Sequence, residues 1–227
     1  MPSPVERLPA VLARLREAER RFQRPRGSVM LLAVSKTQPA AALAALAAAG
    51  QRHFGESYLQ EALEKMKSLN DPSLDWHFIG PIQSNKTRGI AERFNWVHSV
   101  DRLKVAERLS EQRPAELPPL NLCLQVKVSE QSGKRGLHPE ELSGIAHRVA
   151  GLPRLRLRGL MAIPALYTEF AEQRRPFAHL RELQEGLAGQ GLTLDTLSMG
   201  MSGDLEAAIA EGATLVRIGT ALFGPRP

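Results

Sequence analysis

Two basic residues stand among apolar residues, where a charge is unusual. Lys36 follows the unbroken apolar run of residues 29–34, and Arg217 lies between Val216 and Ile218. A short apolar run that ends in polar residues is typical of a strand buried on both faces, so Lys36 marks the carboxyl end of such a strand. A buried ammonium or guanidinium is unfavourable unless it is paired or bound to a ligand. Both residues are therefore candidates for chemistry, with a solvent-facing lysine and a structural ion pair as the respective alternatives.

Small polar residues and glycines follow the last two apolar runs. Ser202 comes just before a predicted helix, and Gly219 and Thr220 follow the final run. Hydroxyl groups and main-chain N–H groups bind anions, and barrel proteins frequently hold phosphate with the loops after strands seven and eight. An ordinary helix N-cap is the alternative for Ser202, and the nearby carboxylates of Asp204 and Glu206 would repel a phosphate.

The order of the predicted elements indicates which fold would bring these residues together. Eight short apolar runs alternate with helical segments, and an amphipathic helix over residues 5–24 precedes them. This alternation requires right-handed βαβ units and a parallel sheet, which places the chain in the α/β class. Eight strands in 227 residues favour a (β/α)8 TIM barrel with an extra N-terminal helix over an open doubly wound sheet. No linker or shift in composition interrupts the chain, so we predict one domain over residues 1–227.

Composition narrows the classes of function. The net charge of +6 permits an anionic ligand, but many basic residues fall in predicted helices, and no zinc-finger or helix-turn-helix pattern indicates nucleic acid. The longest apolar run, residues 40–49, is too short to span a bilayer. The N-terminus lacks the apolar stretch of a signal peptide. These features predict a cytoplasmic protein without a membrane partner.

Other motif searches give structural interpretations. Cys123 is the single cysteine, which excludes disulfides and cysteine metal clusters and predicts a buried thiol. The histidines show no ligand spacing, so His77 and His98 are expected to be core residues. Gln125 and Lys127 alternate with apolar residues on the fifth strand and are expected to point toward the mouth of the barrel.

A strand-end lysine, a buried arginine and a phosphate site at one barrel mouth suit pyridoxal 5′-phosphate (PLP), because the lysine amine can form a Schiff base with its aldehyde. Six segments of this sequence also resemble the pyridoxal phosphate homeostasis protein family (YggS/PROSC-like). They are AVSKT (33–37), FGE (54–56), WHFIGPIQSNK (76–86), GLMAI (159–163), MSGD (201–204) and RIGTALFG (217–224).

The resemblance covers essentially the whole chain and implies a fold-type III PLP-binding barrel, related to the N-terminal domain of alanine racemase. It implies that Lys36 holds the cofactor and that Arg217 faces the pyridine nitrogen. It further implies that Ser202, Gly219 and Thr220 hold the phosphate.

Three other positions matter for this resemblance. Lys134 matches a family lysine in the loop after the fifth strand, which implies a transient second contact with the cofactor. Ser57 and Lys127 stand where members of the family commonly carry asparagine.

Two functions of different classes follow from these residues. The first is a monomeric protein that stores PLP or delivers it to PLP-dependent apoenzymes, without efficient catalysis. The second is a PLP-dependent amino-acid racemase. Racemisation needs an acid or base on each face of the substrate carbon, and alanine racemase takes its second group from a C-terminal domain. The end of this chain directly after the eighth strand therefore favours the first function. An unrelated aldolase-like barrel is a third possibility, but it lacks an evident acid/base partner.

Overall fold

The computed structural model describes residues 2–129 and 135–224. Eight parallel strands form a closed barrel in chain order, and the last strand pairs with the first. The strands are β1 Met30–Val34, β2 His53–Glu56, β3 Asp75–Phe78, β4 Trp96–Val100, β5 Leu120–Gln125, β6 Leu155–Met161, β7 Thr196–Ser198 and β8 Leu215–Ile218. The predicted (β/α)8 barrel is confirmed.

Helices follow the strands and surround the barrel. They are α1 Pro4–Arg21, α2 Ala40–Ala48, α3 Leu59–Leu69, α4 Thr87–Arg93, α5 Leu103–Gln112, α6 Pro139–Ala150, α7 Phe170–Gly189, α8 Leu205–Ala210 and α9 Thr220–Phe223, with a 3-10 helix Ser84–Lys86 before α4. The extra N-terminal helix is α1, and it packs against α2, α8 and α9. Within the two described ranges, no helix combines the length and the apolar character needed to cross a membrane.

The start of α1 follows from its first residues. The Ser3 hydroxyl accepts the Glu6 N–H while the Glu6 carboxylate accepts the Ser3 N–H, so a capping box satisfies two main-chain donors. Pro4 at the first helical position needs no such partner. The helix ends at Arg21, three residues earlier than expected, and Gln23 adopts a left-handed backbone with φ +55°.

Side chains alternate between the two faces of each strand, which gives the barrel two separate cores. Leu31 on β1 packs in the cluster between strands and helices, whereas its neighbour Leu32 is fully buried outside that cluster. Trp96, Cys123 and Met161 form a second cluster of their own. The prediction that Cys123 is a buried thiol is confirmed, and burial raises its pKa to about 12.

The core also contains two histidine side chains. His77 and His98 are fully buried, which confirms that they are core residues. Across the described part of the chain, no group of three or more histidine, cysteine or acidic side chains is placed to bind a metal ion. Asp101 precedes α5 but is not its N-cap. Arg102 is the N-cap, and the Asp101 carboxylate instead forms an ion pair with the Arg102 guanidinium.

Candidate functional site

A cavity of about 450 Å³ opens at the carboxyl ends of β1, β7 and β8. Its walls include all five residues that the sequence predicted for the site: Lys36, Ser202, Arg217, Gly219 and Thr220. Parallel strands of a closed barrel bring their carboxyl ends to one rim, so residues far apart in sequence converge there. The structure therefore brings the five predicted residues together.

Lys36 stands on a turn just beyond β1, and this turn has an unusual backbone. Thr37 adopts φ +65°, in the left-handed region that β-branched residues rarely occupy. Its N–H donates to the Glu61 carboxylate of α3 at 2.6 Å, which holds the turn in this conformation. Strained backbone of this kind persists only where the surroundings enforce it. The position of the lysine is thus set by its neighbours in the turn.

A buried ionic cluster holds the same turn from beneath. The Lys65 ammonium donates to the Ser35 carbonyl at 2.7 Å, to the Glu56 carboxylate at 2.8 Å and to the Glu61 carboxylate. The Ser35 hydroxyl also donates to Glu56. Burial raises the pKa of the Glu56 carboxyl, and the hydrogen bonds from Lys65 and Ser35 oppose that rise. The residue on each side of Lys36 is therefore anchored to this cluster.

Arg217 is buried, and neutral oxygens surround its guanidinium. One terminal nitrogen donates to the main-chain carbonyl of Ser198 and to its hydroxyl at 2.9 Å, and the other donates to the Ala162 carbonyl at 2.8 Å. Among residues 2–129 and 135–224, no carboxylate lies within ion-pair distance of it. Burial lowers the pKa of Arg217 to about 10, and the charge of Asp204 opposes that shift. The alternative of a structural ion pair is therefore wrong for the described residues, and a cation without a direct carboxylate partner among them lines the cavity.

The loop after β7 is tied to two other elements. The Ser202 hydroxyl accepts the Ala221 N–H of α9 at 3.2 Å, and the Ser202 carbonyl accepts a hydrogen bond from Arg14 of α1 at 2.8 Å. The N-cap of α8 is Asp204 rather than Ser202, so the N-cap alternative for Ser202 is wrong. The extra N-terminal helix thus fixes one wall of the cavity.

The acidic residues near this loop are already engaged. Arg14 donates to both oxygens of Glu206 at 2.6 Å, and these hydrogen bonds lower the pKa of the Glu206 carboxyl. Asp204 accepts the Met201 N–H, which closes a tight turn in the loop. The expected repulsion of a phosphate by Glu206 is therefore offset by Arg14.

Glycine at two positions shapes this wall. Gly200 has φ +94°, and a Cβ there would lie 2.6 Å from the Cβ of Ala208, so the turn after β7 requires glycine. A Cβ on Gly203 would meet no atom within 4 Å, and Gly203 lines the cavity. The loop thus leaves room beside Ser202 for a ligand.

Two residues predicted to point toward the mouth do not line the cavity. The Gln125 amide donates to the Arg135 carbonyl, and the Lys127 ammonium contacts the His138 ring at 3.2 Å. Gln125 is the last residue of β5, and Lys127 lies beyond the strand. Ser57 does line the cavity, whereas Lys134 lies outside the described residues.

Sequence reasoning missed Arg14 and the Lys65 cluster. The i, i+4 spacing of Glu61 and Lys65 on α3 was a usable signal for an ion pair on one helix face. No local pattern connects Arg14 with Glu206, because 192 positions separate them.

The (β/α)8 barrel has a lysine at the end of β1 and an arginine within β8. These features fit the class of protein that the sequence implied, a barrel related to the N-terminal domain of alanine racemase, and the comparisons agree. Residues 7–227 match the family model for the alanine racemase N-terminal domain. Alanine racemase from Clostridium difficile has a TM-score of 0.76 at 13% identity, covering 95% of this chain and 57% of that one, which shows the fold alone.

Closer relatives define the family within this class. The pyridoxal phosphate homeostasis protein of Pseudomonas aeruginosa is 64% identical over 221 residues, covering 97% of this chain and 95% of that protein. The structure of PipY from Synechococcus elongatus with PLP bound has a TM-score of 0.82 at 45% identity, covering 94% of this chain and all of that one. The chain belongs to the pyridoxal phosphate homeostasis protein family, which confirms the resemblance seen in the sequence.

Proposed function

We propose that this chain binds PLP and serves intracellular PLP homeostasis, by storing the cofactor or delivering it to PLP-dependent apoenzymes, without efficient catalysis. One observation carries the proposal: the amine of Lys36, the guanidinium of Arg217 and the hydroxyls of Ser202 and Thr220 surround one cavity. The PLP bound in the homologous PipY supports it.

The donor set of the cavity fits PLP. The cofactor presents an aldehyde, a pyridine nitrogen and a phosphate, which require an amine, a partner for the ring and several hydrogen-bond donors. Lys36 supplies the amine, Arg217 supplies the ring partner, and Ser202, Gly219 and Thr220 surround the remaining wall. When bound, the cofactor supplies an aldehyde that a primary amine attacks. Lys36 is the only lysine among the described residues of the wall.

Each of these residues has a role that follows from its chemistry. Lys36 binds the aldehyde carbon, and its turn fixes where the amine stands. Arg217 is a cation, and a cation beside the ring keeps the pyridine nitrogen unprotonated. An unprotonated pyridine is a weaker electron sink, which disfavours chemistry at a bound amino acid.

The described wall of the cavity also favours a carrier over a racemase. Lys36 and Arg217 are its only ionisable residues, and the remaining described members are apolar or carry hydroxyl, amide or no side chains. A positioned acid or base typically contributes about 10²–10⁴-fold to a rate. Lys36 can serve one face of a substrate carbon, but the described wall offers no histidine, tyrosine, cysteine or carboxylate for the other face.

Borohydride reduction tests where the cofactor attaches. The purified chain loaded with PLP is expected to show an absorbance band that borohydride removes, and peptide mapping should locate the reduced group on Lys36. Lys36→Ala should lose the adduct and stay folded, since Lys36 lies on a turn outside the strands. Lys127→Ala is the matched control and should keep the adduct, because Lys127 lies outside the cavity. Attachment at Lys127 or Lys134 would refute the assignment.

An activity panel tests the absence of efficient catalysis. The loaded chain is incubated with L-alanine, D-alanine and other amino acids, while chiral composition and α-proton exchange are followed. Slow exchange is expected, because attachment of the cofactor alone acidifies the α-carbon. Turnover of any substrate at about 1 s⁻¹ or faster, the low end for ordinary enzymes, would support the racemase instead. Reactivation of a PLP-dependent apoenzyme by the loaded chain tests delivery.

A further inference from the structure

A line of hydrogen-bonded side chains runs from Arg217 across the barrel interior. The Ser198 hydroxyl lies 2.9 Å from the Arg217 guanidinium and 2.7 Å from Nδ1 of His98. Nε2 of His98 lies 2.9 Å from Nδ1 of His77, and Nε2 of His77 lies 3.2 Å from Nδ1 of His53. We name Ser198, His98, His77 and His53 the histidine chain. It connects the cavity to the opposite rim, because His53 is the first residue of β2.

One direction of these hydrogen bonds satisfies the members from Arg217 to His77, while Nδ1 of His53 also lies 3.5 Å from the Asp75 carboxylate. A guanidinium is a donor without acceptor capacity, so the Ser198 hydroxyl accepts from Arg217. Among the described residues, Nδ1 of His98 is the one acceptor within reach of the Ser198 proton, so the hydroxyl donates to it. His98 therefore carries its proton on Nε2 and donates to Nδ1 of His77. The same reasoning gives His77 an Nε2 proton that it donates to His53. This direction, which begins at Arg217, gives both buried rings the Nε2–H tautomer.

Both buried rings are neutral in this arrangement. Burial lowers the pKa of His98 to about 3, and the charge of Arg217 adds to that shift. Burial also lowers the pKa of His77 well below its ordinary value, with smaller contributions from His98 and His53. If the His98 ring were charged, its Nδ1–H and the Arg217 guanidinium would both donate to the Ser198 hydroxyl. A second cation would then lie beside that hydroxyl. The neutral rings instead leave this hydroxyl as an acceptor for Arg217.

We propose that Ser198 and His98 are positioning residues for Arg217, and that they orient its guanidinium toward the bound ligand without compensating its charge. This inference rests on the proposed function, in which Arg217 faces the pyridine ring. A carboxylate in place of Ser198 would hold the guanidinium equally well but would neutralise it. Neutral acceptors hold the Arg217 guanidinium while its positive charge remains available to the pyridine ring. The histidine chain supplies such acceptors from behind the cavity.

The first measurement determines the tautomers and needs no cofactor. In the full chain labelled with ¹⁵N-histidine, long-range nitrogen–proton correlation spectra should show His77 and His98 as Nε2–H tautomers between about pH 6 and pH 8. His147, exposed on α6, serves as the internal reference for an accessible ring. An Nδ1–H tautomer or an imidazolium at His98 would overturn the inference.

The second measurement uses the loaded chain. Ser198→Ala and His98→Leu should each weaken PLP retention about tenfold and shift the absorption maximum of the bound cofactor. His98→Asn should restore most of both properties, because an asparagine side-chain oxygen near the position of Nδ1 still accepts the Ser198 proton. His147→Asn is the matched control and should change neither property.

Outcomes of the second measurement are decisive in each case. Ser198→Ala with unchanged affinity and spectrum overturns the inference, and this small change decides the matter even if His98→Leu fails to fold. Equal losses in His98→Leu and His98→Asn also overturn it, because they indicate a packing role for the ring alone. If His77 and His98 show the expected tautomers but the protein binds no PLP, the proposed function is overturned. Cofactor binding with His98 as the Nδ1–H tautomer overturns only this inference.

Discussion

Lys65→Met removes a buried ammonium from beneath the turn that carries Lys36. The Lys65 side chain is only 6% exposed, and its partner Glu56 is fully buried. Methionine has a similar length and keeps the apolar contacts of the lysine stem, so the change removes the charge and its hydrogen bonds. Among the described residues, Glu56 then keeps only the Ser35 hydroxyl as a donor, and its second oxygen has no partner there.

The expected loss of stability is large. Removal of one partner from a buried ion pair typically costs about 3–5 kcal/mol, because the other charge is left without compensation. For a chain of this size about 1 kcal/mol corresponds to roughly 2–4 °C, so Tm should fall by about 6–20 °C. Glu61 contributes less to the loss, because its side chain is 28% exposed and water can solvate it. Lys67→Met on the same helix is the control, and this exposed site should stay within about 0.5 kcal/mol of the unmodified chain.

The loss should depend on pH in a defined direction. Burial already raises the folded-state pKa of the Glu56 carboxyl above its ordinary value, and loss of Lys65 removes the main opposing hydrogen bond. The folded variant therefore binds a proton more tightly than the unfolded chain does. Its stability deficit is largest above the folded pKa and shrinks as pH falls through that value. Urea unfolding at about pH 8 and about pH 5 should show the larger deficit at the higher pH.

A double variant isolates the cause. Lys65→Met combined with Glu56→Gln replaces the stranded carboxylate by a neutral amide, so most of the lost stability should return. Circular dichroism and urea titration of the four chains complete the cycle. If the double variant is as unstable as the sum of the single changes, or if the Lys65→Met deficit is independent of pH, the reasoning from a stranded charge is refuted.

Three further predictions concern the cavity wall and the barrel. Ser202→Ala and Thr220→Val should each weaken PLP retention about fivefold or more in equilibrium dialysis, since a hydrogen bond to a charged group contributes about 1–3 kcal/mol; unchanged affinity in both would move the phosphate site elsewhere. Arg14→Met should also weaken retention in that assay, because Arg14 holds the Ser202 carbonyl from outside the cavity; equal retention would show that α1 does not support the site. Gly159→Ala should destabilise the chain in urea by at least about 1–3 kcal/mol, since its Cβ would lie 1.8 Å from a carbonyl oxygen of β7; Gly186→Ala in α7, which meets nothing within 4 Å, should not.

The barrel and two of the candidate site residues could be predicted from the sequence for a physical reason. Strands buried on both faces appear as continuous apolar runs, so a single charge at the end of one or within one is visible. Lys36 and Arg217 are such charges. The topology then fixes which strand ends meet, because a closed parallel barrel places all carboxyl ends on one rim.

The supporting contacts could not be predicted in the same way. Arg14 on α1 and the histidine chain join elements far apart in sequence, so their partners depend on helix docking and strand register rather than on local pattern. The absence of Gln125 and Lys127 from the described cavity wall has a related cause. Alternation applies only within the strand, which stops at Gln125, and the contacts with Arg135 and His138 then hold the two side chains.

The arrangement of supports around the cavity bears on why a cofactor carrier would keep this barrel. The Lys36 turn is held by Lys65 and Glu61, and Arg217 is held by the histidine chain. Contacts of this kind would stabilise the ground state and the transition state of a bound ligand equally. They would therefore increase affinity without lowering the activation barrier of a reaction. Catalysis would require groups that act only in the transition state, such as a second acid or base, and the described wall contains none beyond Lys36. A described wall with one proton acceptor agrees with the proposal that this site holds a reactive aldehyde rather than turning over amino acids.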